Sequence, residues 1–252
     1  MDKSVIKQQK LADREAAFIQ ATRQQICQNG LLGVQMAAIA RECGYATGTL
    51  YHHFASKEDL LMAVATQITD DRRRYFERVF NWSAPSRDRM VGFTVASCLF
   101  AQHYPEQFRL EQYLMTEVIW QACTDDRREQ FLAALRPLGE MAAQIVQDAE
   151  KSGDVDAHGQ VPMAIVSGQW AMTNGTQTLI HAHGMLAQYQ LHDPFKMLLR
   201  NVNLQLNALN WLPLCSNPFD DVALQRKVTD VCDACFADEC AQYGGLSMAS
   251  AP

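Results

Sequence analysis

The stretch AAIARECGYATGTLYHHFASKEDLLMAV, residues 37–64, decides how the N-terminal end of this chain folds. Ala40 is small, as a close crossing of two helices requires, and Gly44 stands where a left-handed turn residue is easiest. We expect Leu50 to be an apolar anchor that faces back towards the preceding helix and Phe54 to be buried with it. This order of helix, tight turn and short helix predicts a helix-turn-helix.

The second helix of this motif, predicted over about 47–53, presents its first residues end-on to a partner. Ser56 then caps the next helix, with Asp59 reaching back as in a capping box. Lys57, beside the free backbone N–H groups of that helix start, suits a phosphate. Duplex DNA fits these features, because a recognition helix enters the major groove by its N-terminal residues. The alternative is a motif that touches no DNA and whose aromatic residues are simply core.

Composition and charge limit the function further. The chain has 252 residues, of which 48% are hydrophobic and 20% charged, a globular composition. Its net charge of -6 argues against a general polyanion binder. Residues 1–60 nevertheless hold seven Lys/Arg against six Asp/Glu, so any DNA contact belongs at this end. Since the sequence shows no signal peptide and no membrane-spanning run, we expect a cytoplasmic protein without a membrane partner.

Apolar residues recur at helical spacing along nearly the whole chain, and no alternating strand pattern is present. The pattern predicts an all-α fold of three short N-terminal helices followed by six or seven longer ones. We expect an N-terminal three-helix helix-turn-helix DNA-binding domain over 1–62. It is joined to a larger helical domain over 63–252, which we expect to bind an effector and to dimerise.

The stretch 37–64 resembles the DNA-binding signature of the tetracycline-repressor-type (TetR) transcriptional regulators, down to Gly48-Thr49-Leu50-Tyr51, Phe54 and Ser56-Lys57-Glu58. By motif the resemblance covers 14–64. It implies a homodimer, a second motif helix that reads the major groove, and a C-terminal domain whose small effector releases the DNA. The resemblance places Gly48 and Thr49 at base edges. The full set of expected DNA-binding residues is Gln35, Thr47, Gly48, Thr49, Tyr51, His52, His53 and Lys57.

Two positions depart from the family pattern. Val34-Gln35 stand where a Thr or Ser usually precedes the first helix of the motif, and Ala46-Thr47 stand where Ser-Lys is common. These changes remove a helix cap and a phosphate-binding lysine. They predict a modest DNA affinity with a shallower salt dependence than is usual for the family.

In the larger domain, a long helix is predicted from Pro162 to about Gln190. A face of small residues on it would let another helix approach closely. Together with the following helix it suits a four-helix dimer interface, which would place two recognition helices about 34–36 Å apart on a palindrome. The alternative is that the face of small residues and the apolar stripe of the following helix both pack inside one subunit. The expected interface residues are Gly168, Ala171, Gly175, Thr178, Ala182, Phe195, Leu199, Val202, Leu206 and Leu209.

A neighbouring face of the same long helix combines an indole ring with amides and an imidazole. A small-molecule site uses this mixture of apolar bulk and a few orienting hydrogen bonds. We therefore expect a partly aromatic or apolar effector, although each residue taken singly fits core or surface as well. The candidates are His103, Tyr104, Phe108, Tyr113, Trp120, Trp170, Asn174, Gln177 and His181.

Three cysteines leave a second function open, a thiol-based metal or redox sensor. Cys232 and Cys235 share a helical face, whereas Cys240 would lie about 140° around the helix. Buried small apolar side chains are the simpler interpretation. The sequence contains no phosphate loop, dinucleotide fingerprint or HExxH motif. We therefore expect that the protein is not an enzyme and that it binds no cofactor or metal. The leading hypothesis is a DNA-binding repressor that a small molecule releases from a palindromic operator.

Overall fold

The computed structural model describes residues 3–182 and 184–246, and this part of the chain is helical without a β-strand. The predicted all-α class is confirmed. None of the helices in the described residues is long and apolar enough to span a membrane. A 3-10 turn at Leu31–Gly33 follows the first helix. The α-helices are α1 (Lys3–Asn29), α2 (Met36–Glu42), α3 (Thr47–Tyr51), α4 (Lys57–Phe80), α5 (Ser86–His103), α6 (Pro105–Leu114), α7 (Glu117–Ala122), α8 (Asp125–Ser152), α9 (Pro162–His181), α10 (Met185–Gln188), α11 (Pro194–Ala208), α12 (Asp221–Cys235) and α13 (Ala237–Tyr243).

The chain divides into two compact units. Unit 1 consists of Met1–Asp71 and Tyr104–Leu135, and unit 2 of Arg72–His103 and Arg136–Pro252. Unit 1 is therefore larger than the domain predicted over 1–62, since it also takes in α6, α7 and the N-terminal part of α8. The division falls inside α4 and α8, so each of these helices contributes residues to both units.

Glycines end the first two helices of the chain, and Gly44 does so where the sequence predicts a turn. Gly30, with φ of 70°, closes α1 by donating its N–H to the Ile26 carbonyl at 2.9 Å. The sequence predicts a short first helix, but α1 is 27 residues long, because no glycine or proline interrupts it before Gly30. After α2, Gly44 has φ of 75°, and the Tyr45 N–H reaches the Ala40 carbonyl at 2.8 Å. This Schellman arrangement makes the tight turn that aims α3.

The long helix predicted from Pro162 to about Gln190 is shorter than expected. Pro162 begins α9 as predicted, but the helix ends at His181. Gly184 follows with φ of 81°, a left-handed conformation that stops a right-handed helix, and a separate four-residue helix, α10, comes next. Ala182 therefore lies just beyond α9 and not within its face of small residues.

The apolar stripe of α11 packs inside the single chain, which was the alternative to a dimer interface. All five residues are at most 8% exposed and form part of the core of unit 2, so they present no free face to a second copy. The interface prediction is corrected for this set, because their spacing fits an intrachain core as well as a bundle seam. The residues are Phe195, Leu199, Val202, Leu206 and Leu209.

A buried arginine fixes this core. Arg87, near the start of α5, donates to the Trp211 carbonyl at 2.7 Å and to the backbone and side-chain oxygens of Asn203 at 3.1 and 3.0 Å. The fully buried Trp211 donates its indole N–H to Ser86 at 2.9 Å. The start of α5 is thus joined to α11 and to the segment that follows it.

Replacing Arg87 by Met should lower the free energy of unfolding by about 3 kcal/mol, because the carbonyl of Trp211 and the oxygens of Asn203 lose a charged donor within the core. Chemical denaturation followed by circular dichroism measures this change. Arg89→Met is the matched control, since Arg89 makes a single bond to the Phe80 carbonyl at 3.0 Å. Equal losses in the two variants would contradict this account of the core.

Candidate nucleic-acid interface

The recognition helix α3 is only five residues long and is held by apolar anchors. Leu50 and Phe54 are completely buried, as predicted, and Phe18 of α1 is buried with them. A helix of this length is not stable by itself in water. Its position therefore depends on the side chains that unit 1 packs around it.

The opposite side of α3 is open. Gly48 and His52 are exposed, Tyr51 is 50% exposed, and Thr49 is partly exposed. A Cβ built on Gly48 would meet nothing within 4 Å in the chain, so a nucleic-acid backbone or base could approach the helix closely there. Gly48, Thr49, Tyr51 and His52 are among the residues predicted to face DNA. Thr47, which begins the helix, is partly exposed.

Two further predicted contacts flank α3. Gln35, the exposed N-cap of α2, makes no side-chain capping bond, as expected from the missing Ser or Thr. Ala46, the N-cap of α3, makes none either. Lys57 is the first residue of α4 and is partly exposed. These positions leave backbone N–H groups at helix starts available to phosphate oxygens.

His53 does not belong to the open surface. Its side chain is only 2% exposed, and its Nδ1 lies 3.7 Å from Glu15 Oε2 on α1. Its ring packs edge-on against Phe18, with the ring centroids 5.5 Å apart. The predicted DNA contact by the His53 side chain is corrected, because the end of α3 turns this ring inwards onto α1.

The predicted capping box after α3 is present in a shifted form, in which Asp59 reaches the N–H of the residue before the N-cap Ser56. Ser56 Oγ accepts the Asp59 N–H at 3.0 Å, and Asp59 Oδ2 accepts the Ala55 N–H at 3.2 Å. This reciprocal pair fixes where α4 begins. It thereby fixes Lys57 next to the recognition helix.

The second oxygen of Asp59 reaches a distant part of the sequence. Asp59 is 3% exposed, and its Oδ1 accepts both the N–H of Thr124, at 2.8 Å, and the Thr124 hydroxyl, at 2.9 Å. Ser56 also donates its hydroxyl to the Ala122 carbonyl at 3.2 Å. The start of α4 is therefore tied to the start of α8. Nothing in the sequence signals this pairing, because the partners stand 65 positions apart.

Arg127 in the first turn of α8 holds the end of the recognition helix. Its guanidinium lies 2.8 Å from Glu15 Oε1, donates to the His53 carbonyl at 3.4 Å, and sits 4.9 Å from the centre of the Phe54 ring. Glu15 thus bridges His53 and Arg127. Sequence reasoning missed Arg127, whose neighbours suggest only an exposed charged helix.

The effector candidates divide between the units. Tyr104, Phe108, Tyr113 and Trp120 belong to unit 1, and the remaining five belong to unit 2. In unit 2, His103 contacts the Tyr75 hydroxyl at 3.4 Å and the Gly244 carbonyl at 2.9 Å. On α9, burial increases from a half-exposed Trp170, through partly exposed Asn174, to Gln177, which is 1% exposed; His181 at the end of α9 is partly exposed.

The cysteines offer no support for a sensor. Burial raises the pKa of the Cys235 thiol, and burial together with the adjacent Cys232 raises the pKa of Cys240 to about 12. These two thiols remain protonated near neutral pH and are poor nucleophiles and metal ligands. Among the residues that the structure describes, no group of three or more His, Cys, Asp or Glu side chains is arranged to hold a metal.

Comparison with known proteins agrees with this geometry. The sequence profile of bacterial regulatory proteins of the tetR family matches residues 18–64, which include α2, α3 and the capping box. The chain is 30% identical over 143 residues to the HTH-type transcriptional regulator UidR of Escherichia coli strain K12, covering 55% of this chain and 67% of UidR.

Two solved structures share the fold. A protein of unknown function from Rhodococcus sp. RHA1 superposes with a TM-score of 0.61 at 20% identity, covering 78% of this chain and 95% of its own. The regulator FadR of Bacillus subtilis, solved in complex with stearoyl-CoA, superposes with a TM-score of 0.56 at 17% identity, covering 75% of this chain and 96% of its own. At these identities the likeness concerns the fold alone.

Replacing Asp59 by Ala should lower the free energy of unfolding by about 3 kcal/mol, because the N–H groups of Ala55 and Thr124 and the Thr124 hydroxyl lose the buried carboxylate that accepts their hydrogen bonds. The measurement is urea denaturation followed by tryptophan fluorescence and circular dichroism. Glu58→Ala, which removes the adjacent carboxylate of the same helix turn, should change stability by about 1 kcal/mol or less. If Asp59→Ala were as mild as Glu58→Ala, the proposed tie between α4 and α8 would contribute little.

Proposed function

This chain belongs to the TetR family of transcriptional regulators, and we propose that it is a homodimeric repressor that a small-molecule effector releases from a palindromic operator. The observation that carries the proposal is the division of α3 into two sides. Leu50 is fully buried on one side, while Gly48, Thr49 and Tyr51 lie open or partly open on the other.

DNA binding by this surface follows from its chemistry. Thr49 can hydrogen-bond a base edge or contact a thymine methyl group, and the bare Gly48 lets the helix approach the groove. Tyr51, His52 and Lys57 would hold phosphates, which set the register of the helix on the duplex. Because no lysine stands at position 47, we expect fewer phosphate contacts and a shallower salt dependence than in relatives that carry one.

Dimerisation is supported by the part of the small-residue face that stays exposed. Ala171, Gly175 and Thr178 lie along α9 and are exposed in the single chain. A Cβ added to Gly175 would meet nothing within 4 Å, so nothing in its own chain requires a glycine at this point of a helix. A close approach of α9 from a second copy would supply that requirement.

Effector control would use the two helices that contribute residues to both units. α4 begins at the capping box, and α8 begins at the residues Thr124 and Arg127 that contact the capping box and the end of α3. A shift of either helix would therefore disturb the contacts that hold α3 in position. FadR, which has the same fold, binds stearoyl-CoA and so shows that this fold can hold a small molecule. If an effector favours an arrangement that DNA does not, the two ligands weaken each other reciprocally.

Replacing Thr49 by Ala should weaken operator binding at least about tenfold, because a side chain at the base edges is lost in both subunits. Footprinting on genomic fragments supplies the operator, and titration with wild type and variant measures the change. Thr229→Ala, an exposed threonine on α12, is the matched control and should bind as wild type does. A Thr49→Ala protein with unchanged affinity would contradict the assignment of α3 as the reading helix.

Replacing Gly175 by Glu should convert the dimer into a monomer while helix content stays the same, because the side chain has room in its own chain but would bury a charge between two copies. Light scattering after size-exclusion chromatography gives the mass, and circular dichroism gives the helix content. Ala223→Glu, at an exposed position of α12, should remain dimeric. A dimeric Gly175→Glu protein would place the interface elsewhere.

A further inference from the structure

Three basic residues, Lys7, Lys10 and Arg14, form a stripe along the N-terminal part of α1, and we call them the basic stripe. They follow one another at steps of three and four residues, which places them within about 60° of one another around a helix. Lys3, the first residue of α1, continues this spacing in the sequence. The stripe precedes the region that the family profile matches, since that match begins at residue 18.

The segment that carries the two lysines of the basic stripe is open on every side. All residues over 4–13 are exposed, so this part of α1 adds nothing to the core of unit 1. Its large apolar residues, Val5, Ile6 and Leu11, are at least about 100° apart around the helix and form no common face. A helix that covers another protein or a lipid surface has its apolar residues on one side. The segment therefore offers a partner charge and not an apolar face.

The acidic residues next to the basic stripe are already engaged. Between residues 3 and 15 they are Asp13 and Glu15. Asp13 accepts a hydrogen bond from the Gln9 amide at 2.7 Å, and Glu15 lies 2.8 Å from an arginine of α8. Within the described residues, neither Lys7 nor Lys10 forms an ion pair. The charges of the two lysines are thus available to an anion from outside the chain.

This placement of positive charge opposes the helix that carries it. Lys10 and Arg14 stand at i and i+4, where like charges repel each other. The basic stripe also lies towards the N-terminal, positive end of the helix dipole, and the first turn has no acidic residue to offset it. A bound anion would make both effects favourable. A solvated helix surface has no such requirement, because charges of both signs can alternate along it.

One end of the basic stripe lies at the turn before the recognition helix. The Arg14 guanidinium sits 5.0 Å from the centre of the Tyr45 ring, and Tyr45 stands two residues before α3. One turn further along α1, Cys43 donates its thiol to the Ala17 carbonyl at 3.6 Å. The two segments therefore run in opposite directions. This order takes Lys10, one turn before Arg14, past the turn and towards the N-terminal end of α3.

We propose that Lys7 and Lys10 bind phosphates of the operator duplex beside the base pairs that α3 reads. A recognition helix enters the major groove by its N-terminal residues, and phosphates border the groove there. The contacts carry no sequence information, so they add affinity on any duplex. The shallower salt dependence expected from Thr47 concerns the contacts of α3, to which the basic stripe adds its own. This inference rests on the proposed function, because it extends the same DNA interface.

The double variant Lys7→Gln/Lys10→Gln gives the first test. The slope of log K against log salt concentration should become shallower by about 3–4, because a dimer loses four phosphate contacts at about 0.9 each. At low salt, binding should be at least about tenfold weaker, both on the operator and on a scrambled duplex of equal length. Fluorescence anisotropy titrations of the two labelled duplexes at several salt concentrations measure both quantities.

The matched control is Lys151→Gln/Arg226→Gln, which removes the same charge from exposed positions of unit 2. It should keep the wild-type slope. An unchanged slope in Lys7→Gln/Lys10→Gln, or an equal change in the control, would overturn the proposal. Vesicles that contain phosphatidylserine test the other anionic partner. Binding to them that depends on Lys7 and Lys10, with unchanged DNA binding, would likewise overturn it.

A second test separates the face of the helix from its net charge. Lys10→Gln/Gln8→Lys moves one charge about 160° around α1 and keeps the net charge. It should bind DNA as weakly as Lys10→Gln alone, whereas Lys7→Arg/Lys10→Arg should bind as the wild type does. Wild-type affinity of the relocated variant would show that net charge suffices and would contradict the basic stripe.

The two levels of inference fail separately. A wild type that protects no operator in footprinting would count against the proposed function. A protected operator together with an unchanged salt slope in Lys7→Gln/Lys10→Gln would count against the basic stripe alone. The contact classes are also distinguishable, because Thr49→Ala should weaken binding to the operator and leave binding to the scrambled duplex unchanged.

Discussion

The buried carboxylate of Asp59 is the interaction on which the DNA-binding unit depends. One of its oxygens closes the capping box at the start of α4, and the other accepts two hydrogen bonds from Thr124 before α8. A buried charge is tolerable only when donors surround it, and here two backbone N–H groups and one hydroxyl do so. The starts of α4 and α8 are consequently fixed by the same side chain.

This constraint matters because the recognition helix has little stability of its own. Five residues form too few internal hydrogen bonds to offset helix nucleation. α3 is instead held by Leu50 and Phe54 in the core and, at its C-terminal end, by the Glu15 and Arg127 pair. The exposed side of α3 is therefore positioned by contacts on its buried side. A change at the start of α8 would alter the Arg127 contacts that hold the C-terminal end of α3.

The sequence predicted those features that depend on near neighbours. Gly44 marks the turn because a left-handed residue is needed within four positions of Ala40, and Ser56 with Asp59 marks a helix start within one turn. Prediction from the sequence failed where one residue pattern is typical of two different contacts. The apolar stripe of α11 fits a dimer interface and an intrachain core equally well. Because Leu199 and Val202 are buried within the single chain, the stripe is core.

The sequence by itself determined the all-α class, the helix-turn-helix and its family, since these follow from periodicity, turn residues and a local motif. Only the tertiary structure decided that His53 points inwards, that Arg127 holds α3, and that Gln169 of α9 donates to Met90 and Thr94 of α5. The physical reason is distance along the chain. The role of a side chain at such sites is set by partners dozens of positions away in the sequence. The spacing of neighbouring residues does not predict these partners.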